Sequence, residues 1–392
     1  MIPVEEALAR VLALVAPLPS ETVALRHAAG RVLAAPVVAR LTQPPFDASS
    51  MDGYWLAAAD HHPGAVLRIE GEAAAGRGYT GPLAPGQAVR IFTGAPCPAP
   101  GGVVVLQEDV LREGETITLP ATLSRNDNIR PRGQDFAEGE GFHPARALNA
   151  RDIGLIAAMN VAEVSVHRRP IVAIMATGDE LVQPGETPGP DQIICSNNLM
   201  LAAMAETAGA EVRLLPIARD AEDSLRFTFG LAAGADLIVT SGGASVGEHD
   251  LVGQVTVELG LERSFWKIAM RPGKPLMAGR MGESVLLGLP GNPVSAAVCA
   301  QLFLLPMLAR MQGRAAHPTP RQAVLAVDVG PTGPRTHYMR AVLGAGTPPG
   351  ITPCTSQDSA RLGVLAEADA LLIRPLGDGP RKAGETVDYL PL

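Results

Sequence analysis

The spacing of apolar positions changes several times along the chain, and each change predicts a different kind of element. Residues 4–15 (VEEALARVLALV) set apolar side chains three and four apart between charged ones, the spacing of an amphipathic helix. Residues 26–33 predict a second, shorter helix. The segment TQPPFD at 42–47 is stiffened by paired prolines and predicts an extended connection. From about 65 to 145, short β-prone runs (VLRIEGEA, QAVRIFTG, GVVVLQEDV, ETITLP) alternate with Gly- and Pro-rich turns, which predicts a small all-β unit. Helical spacing returns at 151–160, and 162–166 predicts a strand. The β unit therefore reads as an insertion into an α/β unit built from segments on both sides of it.

After Arg169 the pattern becomes strand, loop, helix, repeated. Strands are predicted at 170–176, 211–217, 236–241 and 284–289, and helices at 197–208, 221–233, 251–259 and 293–311. Apolar strands alternating with helices predict a mostly parallel sheet covered on both faces. Beyond Pro318 helical spacing disappears, and VLAVDV, THYMRAVL, ALLIRPL and ETVDYL predict a small β domain without helices. The expected division is an N-terminal split α/β domain (1–56 plus 146–167), an inserted β domain (57–145), an α/β sheet domain (168–316) and a C-terminal β domain (317–392).

Composition narrows the class. With 392 residues, 47% hydrophobic and 18% charged, the chain has the make-up of a folded multidomain protein. Aromatics are only 4%, so Ala, Val and Leu must fill the cores. The net charge of −8 and the lack of a Lys/Arg-rich run argue against a nucleic-acid partner. The apolar stretch 296–309, interrupted by Gln301 and Pro306, reads as too short to span a bilayer. The acidic start MIPVEE lacks the positive charge of a signal peptide. No C-x-x-C pair joins the four cysteines, so free thiols in a reducing, cytoplasmic setting are expected. There is no H-E-x-x-H and no G-x-x-x-x-G-K-S/T, which argues against a zinc hydrolase and a P-loop enzyme.

Chemistry concentrates in three loops that each follow a predicted strand and precede a predicted helix: TGDEL at 177–181, SGGASVGEHD at 241–250 and GLPGNPVS at 288–295. In an open α/β sheet such loops converge on one crevice. Gly178 permits a tight turn, and the carboxylates of Asp179 and Glu180 either cap a solvated turn or hold Mg²⁺ beside substrate phosphates. The glycines and Ser245 of the second loop expose backbone N–H groups to an anion. Asp250 suits either a helix N-cap or a metal ligand, and His249 reads as a loop residue rather than a base. Asn292 suits an N-cap and Pro293 the first helical position, which places Ser295 in the first turn, where an anion is favoured. Lys267, Arg271 and Lys274 group within FWKIAMRPGKP, as a solvated face or as substrate contacts. Asp52 in MDGY and Asp135 in RPRGQD lie on glycine-bordered loops, where either could serve an Asx turn.

Seven segments together resemble the molybdopterin molybdenumtransferases, the family that inserts molybdate into molybdopterin and includes the corresponding domain of gephyrin. They are PPFDASSMDGYW (44–55), RIFTGAPCP (90–98), NIRPRGQD (128–135), ATGDELVQPG (176–185), TSGGASVGEHD (240–250), RPGKP (271–275) and GLPGNPVSA (288–296). The resemblance implies an α/β multidomain fold: a molybdopterin-binding α/β sheet domain with an elongated N-terminal α/β part, an inserted β domain and a C-terminal β domain. It implies a homodimer whose cleft lies between subunits, which would bring Asp52 to a crevice distant in sequence. The implied reaction takes adenylylated molybdopterin and molybdate, needs Mg²⁺ and releases AMP, with other molybdenum-cofactor biosynthesis proteins as further partners.

By motif position, the resemblance assigns Glu180, Asp220 and Asp250 as acids and metal ligands, with Asp52, Thr93 and Asp135 supplied from the N-terminal part. It assigns Lys274, Ser295, Arg340 and Ser359 to molybdate. Ser245, Lys267, Arg271, Pro290 and Pro293 become substrate contacts or loop-shaping residues. Two departures stand out: Arg271 replaces a lysine of many relatives, and Gly102 stands where an Asp is usual. Adenylylation of molybdopterin is a rival activity, but its enzymes resemble only 169–312. A pterin-binding paralogue or a scaffold without transferase activity is the other alternative.

Overall fold

The apolar runs after Arg169 form the central sheet. The computed structural model describes residues 1–242 and 251–392. Strands Glu211–Leu214, Ile171–Ala176, Leu237–Ser241 and Ser284–Leu289 lie side by side in that order, all parallel. Every residue of Leu237–Ser241 and Ser284–Leu289 is buried, as strands covered on both faces must be. Alternate residues feed opposite layers. Val172 and Ile174 join Leu201, Phe303 and Met307 on one face, and Ala173 and Met175 join Leu225, Phe229 and Val255 on the other.

Two further strands extend this sheet: Met277–Met281 runs antiparallel to Ser284–Leu289, and Leu261–Trp266 runs antiparallel to Met277–Met281 at the edge. The sequence pattern did not predict them. Leu261–Trp266 buries only Leu261 and Phe265 and carries the exposed, charged Glu262 and Arg263 between them, so it lacks the continuous apolar run of its neighbours. The helix predicted at 293–311 runs as Pro293–Cys299, a wider π turn Ala300–Leu304, and Leu305–Met311. The π turn falls just before Pro306, whose missing N–H cannot continue the regular ladder. At 19 residues this helix is long and apolar enough to cross a membrane, contrary to the reading of 296–309, but 78% of its apolar window is buried inside the protein.

Several boundaries differ from the expected division. The first helix, Val4–Ala13, buries Val4, Ala7 and Val11 in the same core as Phe303 and Met307, so it packs with the central unit. Residues 26–33 make only a 3₁₀ turn, Leu25–His27. Beyond it the backbone runs along strand Glu163–His167, with Ala34 N–H donating to Ser165 and His167 N–H donating to Val32. Strand Gly53–Ala57 lies between Gly102–Leu106 and Gln87–Ile91 in the inserted six-stranded sheet, so the chain enters that unit at Gly53 rather than after residue 56. Gly102 has a steric reason here: a Cβ would sit 2.2 Å from the Trp55 ring.

In the C-terminal sheet, Thr336–Leu343, Gly350–Pro353, Arg321–Leu325, Thr386–Pro391 and Ala370–Arg374 follow one another, and the last pairs back with the first to close a barrel. Strand Met270–Arg271 leaves the central unit to pair with Thr336 and His337 at the barrel's edge. A short helix, Leu362–Ala366, interrupts the expected run of strands.

Phe303 is fully buried where the first helix, the sheet and the long helix meet. Phe303→Ala is expected to cost about 3–5 kcal/mol. Urea unfolding followed by Trp266 fluorescence in a Trp55→Phe background checks this, and an unshifted midpoint would show that this core is not shared.

Candidate active site at the carboxyl ends of the central strands

A cavity of about 1140 Å³ opens where Ile171–Ala176, Leu237–Ser241 and Ser284–Leu289 end. Thr177, Gly178, Glu180, Asp220, Pro290, Pro293 and Ser295 line it. The loops are wired to one another through the backbone. Thr177 N–H donates to Ser241 at 3.1 Å, Gly178 N–H to Ala218 at 3.1 Å, and Gly242 N–H to Leu289 at 3.2 Å. Gly178 has φ +146°, and a Cβ there would lie 2.2 Å from a Glu180 carboxylate oxygen. Only glycine lets that carboxylate fold back over the strand end.

Two residues that the sequence reading missed hold this geometry. Arg219 donates from one guanidinium nitrogen to the carbonyls of Asp179 at 3.1 Å and Leu181 at 3.0 Å, which braces the loop on both sides of Glu180. The adjacent Asp220 N–H donates to the Asp179 carboxylate at 3.1 Å. Arg219 thus joins the two acid-bearing loops, and its position next to Asp220 was the available signal. Asn197, at the start of helix Asn197–Thr207, donates from Nδ2 to Ser241 Oγ and to the Gly291 carbonyl, both at 2.8 Å. An Asn at a helix start reads as capping, and nothing local in the sequence points to this bridge.

Asn292 occupies the expected N-cap position of Pro293–Cys299 but makes no side-chain cap bond. Its Nδ2 donates instead to Ser359 Oγ at 3.1 Å, while Val294 N–H donates to the Ser359 carbonyl at 3.1 Å. A loop of the barrel is thereby fastened to the turn that carries Ser295. A second cavity, of about 570 Å³, lies there, lined by Arg271, Lys274, Arg335, Ser295, Gln357 and Ser359. Ser295 and Pro275 line both cavities.

The other expected site residues lie elsewhere. Arg340 is 1% exposed and lines neither cavity. Its guanidinium donates to the carbonyls of Asp358 at 2.7 Å and Ser356 at 3.1 Å, so it braces the loop that carries Ser359. Lys267 also lines neither cavity, and its Nζ sits 4.1 Å from the centroid of the Trp266 ring. Asp52 and Thr93 do meet: one Asp52 carboxylate oxygen accepts from Thr93 N–H and Oγ–H, both at 2.8 Å. Those two bonds hold the Asp52 carboxyl below its ordinary pKa. Asp135 is exposed, with its N–H bonded to Gln43. Within one chain, Asp52, Thr93 and Asp135 line neither cavity. Ser245, Asp250 and His249 lie outside the described residues. Among the described residues no group of three or more His, Cys, Asp or Glu could hold a metal, so the cavity's own contribution is the carboxylate pair Glu180 and Asp220.

Comparison with known proteins agrees with this architecture. The chain matches the family models described as MoeA N-terminal region (domain I and II) over residues 2–160, probable molybdopterin binding domain over 173–310, and MoeA C-terminal region (domain IV) over 322–392. It is 35% identical over 387 residues to a molybdopterin molybdenumtransferase from Nostoc sp., covering 95% of this chain and 89% of that one. A second molybdopterin molybdenumtransferase, from Staphylococcus aureus, is 30% identical over 400 residues and covers 99% and 95%. The crystal structure of a molybdopterin biosynthesis MoeA protein from Pyrococcus horikoshii OT3 superposes with TM-score 0.85 at 26% identity over 100% of both chains. With its strand-end cavity, its four-part architecture and these full-length matches, the chain belongs to the molybdopterin molybdenumtransferase family, the enzymes of molybdenum-cofactor biosynthesis.

Proposed function

We propose that this enzyme cleaves the phosphoanhydride of adenylylated molybdopterin in a Mg²⁺-dependent step, releases AMP and inserts molybdate between the dithiolene sulfurs. One observation carries the reading. A large cavity bearing Glu180 and Asp220 meets a smaller one bearing Lys274 and Arg271, with Ser295 in the wall of both. The larger volume, about 1140 Å³, exceeds the ~300–1,000 Å³ usual for small-ligand sites and suits a pterin joined to a nucleotide.

The carboxylates in the lining of the larger cavity, Glu180 and Asp220, fit Mg²⁺: that ion takes one or two carboxylates and completes its shell with waters and substrate phosphates. Glu180 and Asp220 would hold it, with Asp250 as a third acid. Bound there, Mg²⁺ offsets the charge on the bridging phosphates. The chain's own residues do the rest. Arg219 keeps Glu180 and Asp220 on neighbouring loops. Lys274, Ser295 and Ser359 hold the molybdate dianion beside the cleavage point, as such donors hold phosphate. Asp52, Thr93 and Asp135 enter from the partner protomer of a homodimer.

Purified protein given adenylylated molybdopterin, Mg²⁺ and molybdate should release AMP and yield cofactor that reconstitutes an apo-molybdoenzyme. Excess EDTA should abolish AMP release and added Mg²⁺ restore it. AMP release that is indifferent to EDTA would remove the metal from the reading.

Glu180→Gln, Asp220→Asn and Asp250→Ala should each slow AMP release by about a hundredfold or more, the scale of removing one electrostatic partner of a transition state. Circular dichroism should remain unchanged. Normal turnover in any one variant strips that residue of its role.

A shared cleft also predicts complementation. Inactive Asp52→Ala and Asp250→Ala proteins, unfolded and refolded as a mixture, should regain activity through mixed dimers that carry one intact site. A mixture as inactive as its parents would place the whole site within one protomer.

A further inference from the structure

One side chain of the inserted sheet joins three strand ends. Arg90 lies on strand Gln87–Ile91, directly opposite Tyr54 of strand Gly53–Ala57. One terminal nitrogen of its guanidinium donates to the Gly53 carbonyl at 2.9 Å, and the other donates to the side-chain carbonyl of Gln107. Gln107 opens the 3₁₀ turn Gln107–Asp109 that follows strand Gly102–Leu106, and its N–H donates back to the Asp52 carbonyl at 3.2 Å. Its side-chain nitrogen donates in turn to Glu108 at 2.9 Å. The carbonyls of Asp52 and Gly53 are therefore both held, one by Gln107 and one by Arg90.

This bridge bears on Asp52 and Thr93 because the ladder between their strands ends at Gly53 and Ile91. Both residues lie just beyond the paired part. Thr93 holds the Asp52 carboxylate through two bonds to one oxygen, and Arg90 holds the chain ends from which the two side chains project. The guanidinium itself is fixed. Its carbon lies 5.0 Å from the centre of the Tyr54 ring and 4.7 Å from that of Phe92, cation–π contacts that keep a planar cation in one pose. Arg68 and Arg77 of the same unit pair with Glu70 and Glu72, whereas Arg90 has no ion-pair partner among the described residues. Its charge is left to act on its neighbours: behind the two Thr93 bonds, Arg90 also lowers the Asp52 pKa.

We propose that Arg90 is the positioning residue of Asp52: by tying Gly53 to Gln107 it sets where the Asp52 carboxylate stands, without touching a reactant. The proposal rests on the reading that Asp52 serves the reaction. Two nitrogens of Arg90 are committed to protein acceptors and two rings lie against its plane, so it acts through Asp52 rather than on a ligand.

The test measures AMP release by the full-length enzyme with adenylylated molybdopterin, Mg²⁺ and molybdate. Arg90→Met keeps an unbranched side chain and loses the fork and the charge. It should lower kcat by about tenfold, the cost of a small misplacement of a reacting group, while KM for adenylylated molybdopterin stays the same. Arg90→Lys keeps the charge and a donor, should recover part of the loss, and guards against a folding defect in the methionine variant. In an Asp52→Ala background, Arg90→Met should cost nothing further, because the group it places is gone. An equal loss in both backgrounds would show that Arg90 only supports the fold of the inserted sheet, and would overturn the proposal. Full turnover in Arg90→Met beside an impaired Asp52→Ala would also overturn it and leave Asp52 in its role. Full turnover in Asp52→Ala would remove Asp52 from the reaction, and the role of Arg90 with it.

Discussion

Registration of three parallel strands is the constraint on which the site depends. Ala176 pairs with Ser241, and Ser241 with Leu289, so three loops leave the sheet at one level. The hydrogen bonds from Thr177 to Ser241 and from Gly242 to Leu289 carry that alignment one residue beyond the strands. Because alternate residues of Ile171–Ala176 feed opposite layers, a slip of one residue would turn each side chain to the wrong face. Burial of the apolar faces therefore fixes not only the sheet but the relative height of Glu180 and Pro290.

Onto this platform the chain loads charge unequally. A protein of net charge −8 gathers Arg271, Lys274 and Arg335 around one small cavity and sets Glu180 and Asp220 in the next. Separation by a shared wall at Ser295 and Pro275 keeps acids and cations from pairing off with each other. Arginines that act structurally behave otherwise: Arg219 and Arg340 spend their donors on backbone carbonyls and so stiffen loops.

Much of this was legible because it is local. Periodicity gave the parallel strands, the long helix and the two β units, since burial imposes a pattern on contiguous residues. Motif order pointed to Glu180, Asp220, Lys274 and Ser295, which line the two cavities. What escaped was set by partners distant in sequence. The strand Leu261–Trp266 is an edge with one mixed face and lacks a distinctive pattern. The first helix looked like part of the N-terminal unit, and only packing against Phe303 and Met307 attaches it to the central core. Arg340 and Arg335 are five residues apart at one strand, and nothing in their spacing says which is buried against a loop and which faces open space.

The two-residue strand Met270–Arg271 and the bond from Val294 to the Ser359 carbonyl tie the barrel to the central unit on opposite sides of the smaller cavity. Any swing of one wall away from the other would have to break these backbone bonds, so the width of the gap between the units is set at that point by the long side chains that line it.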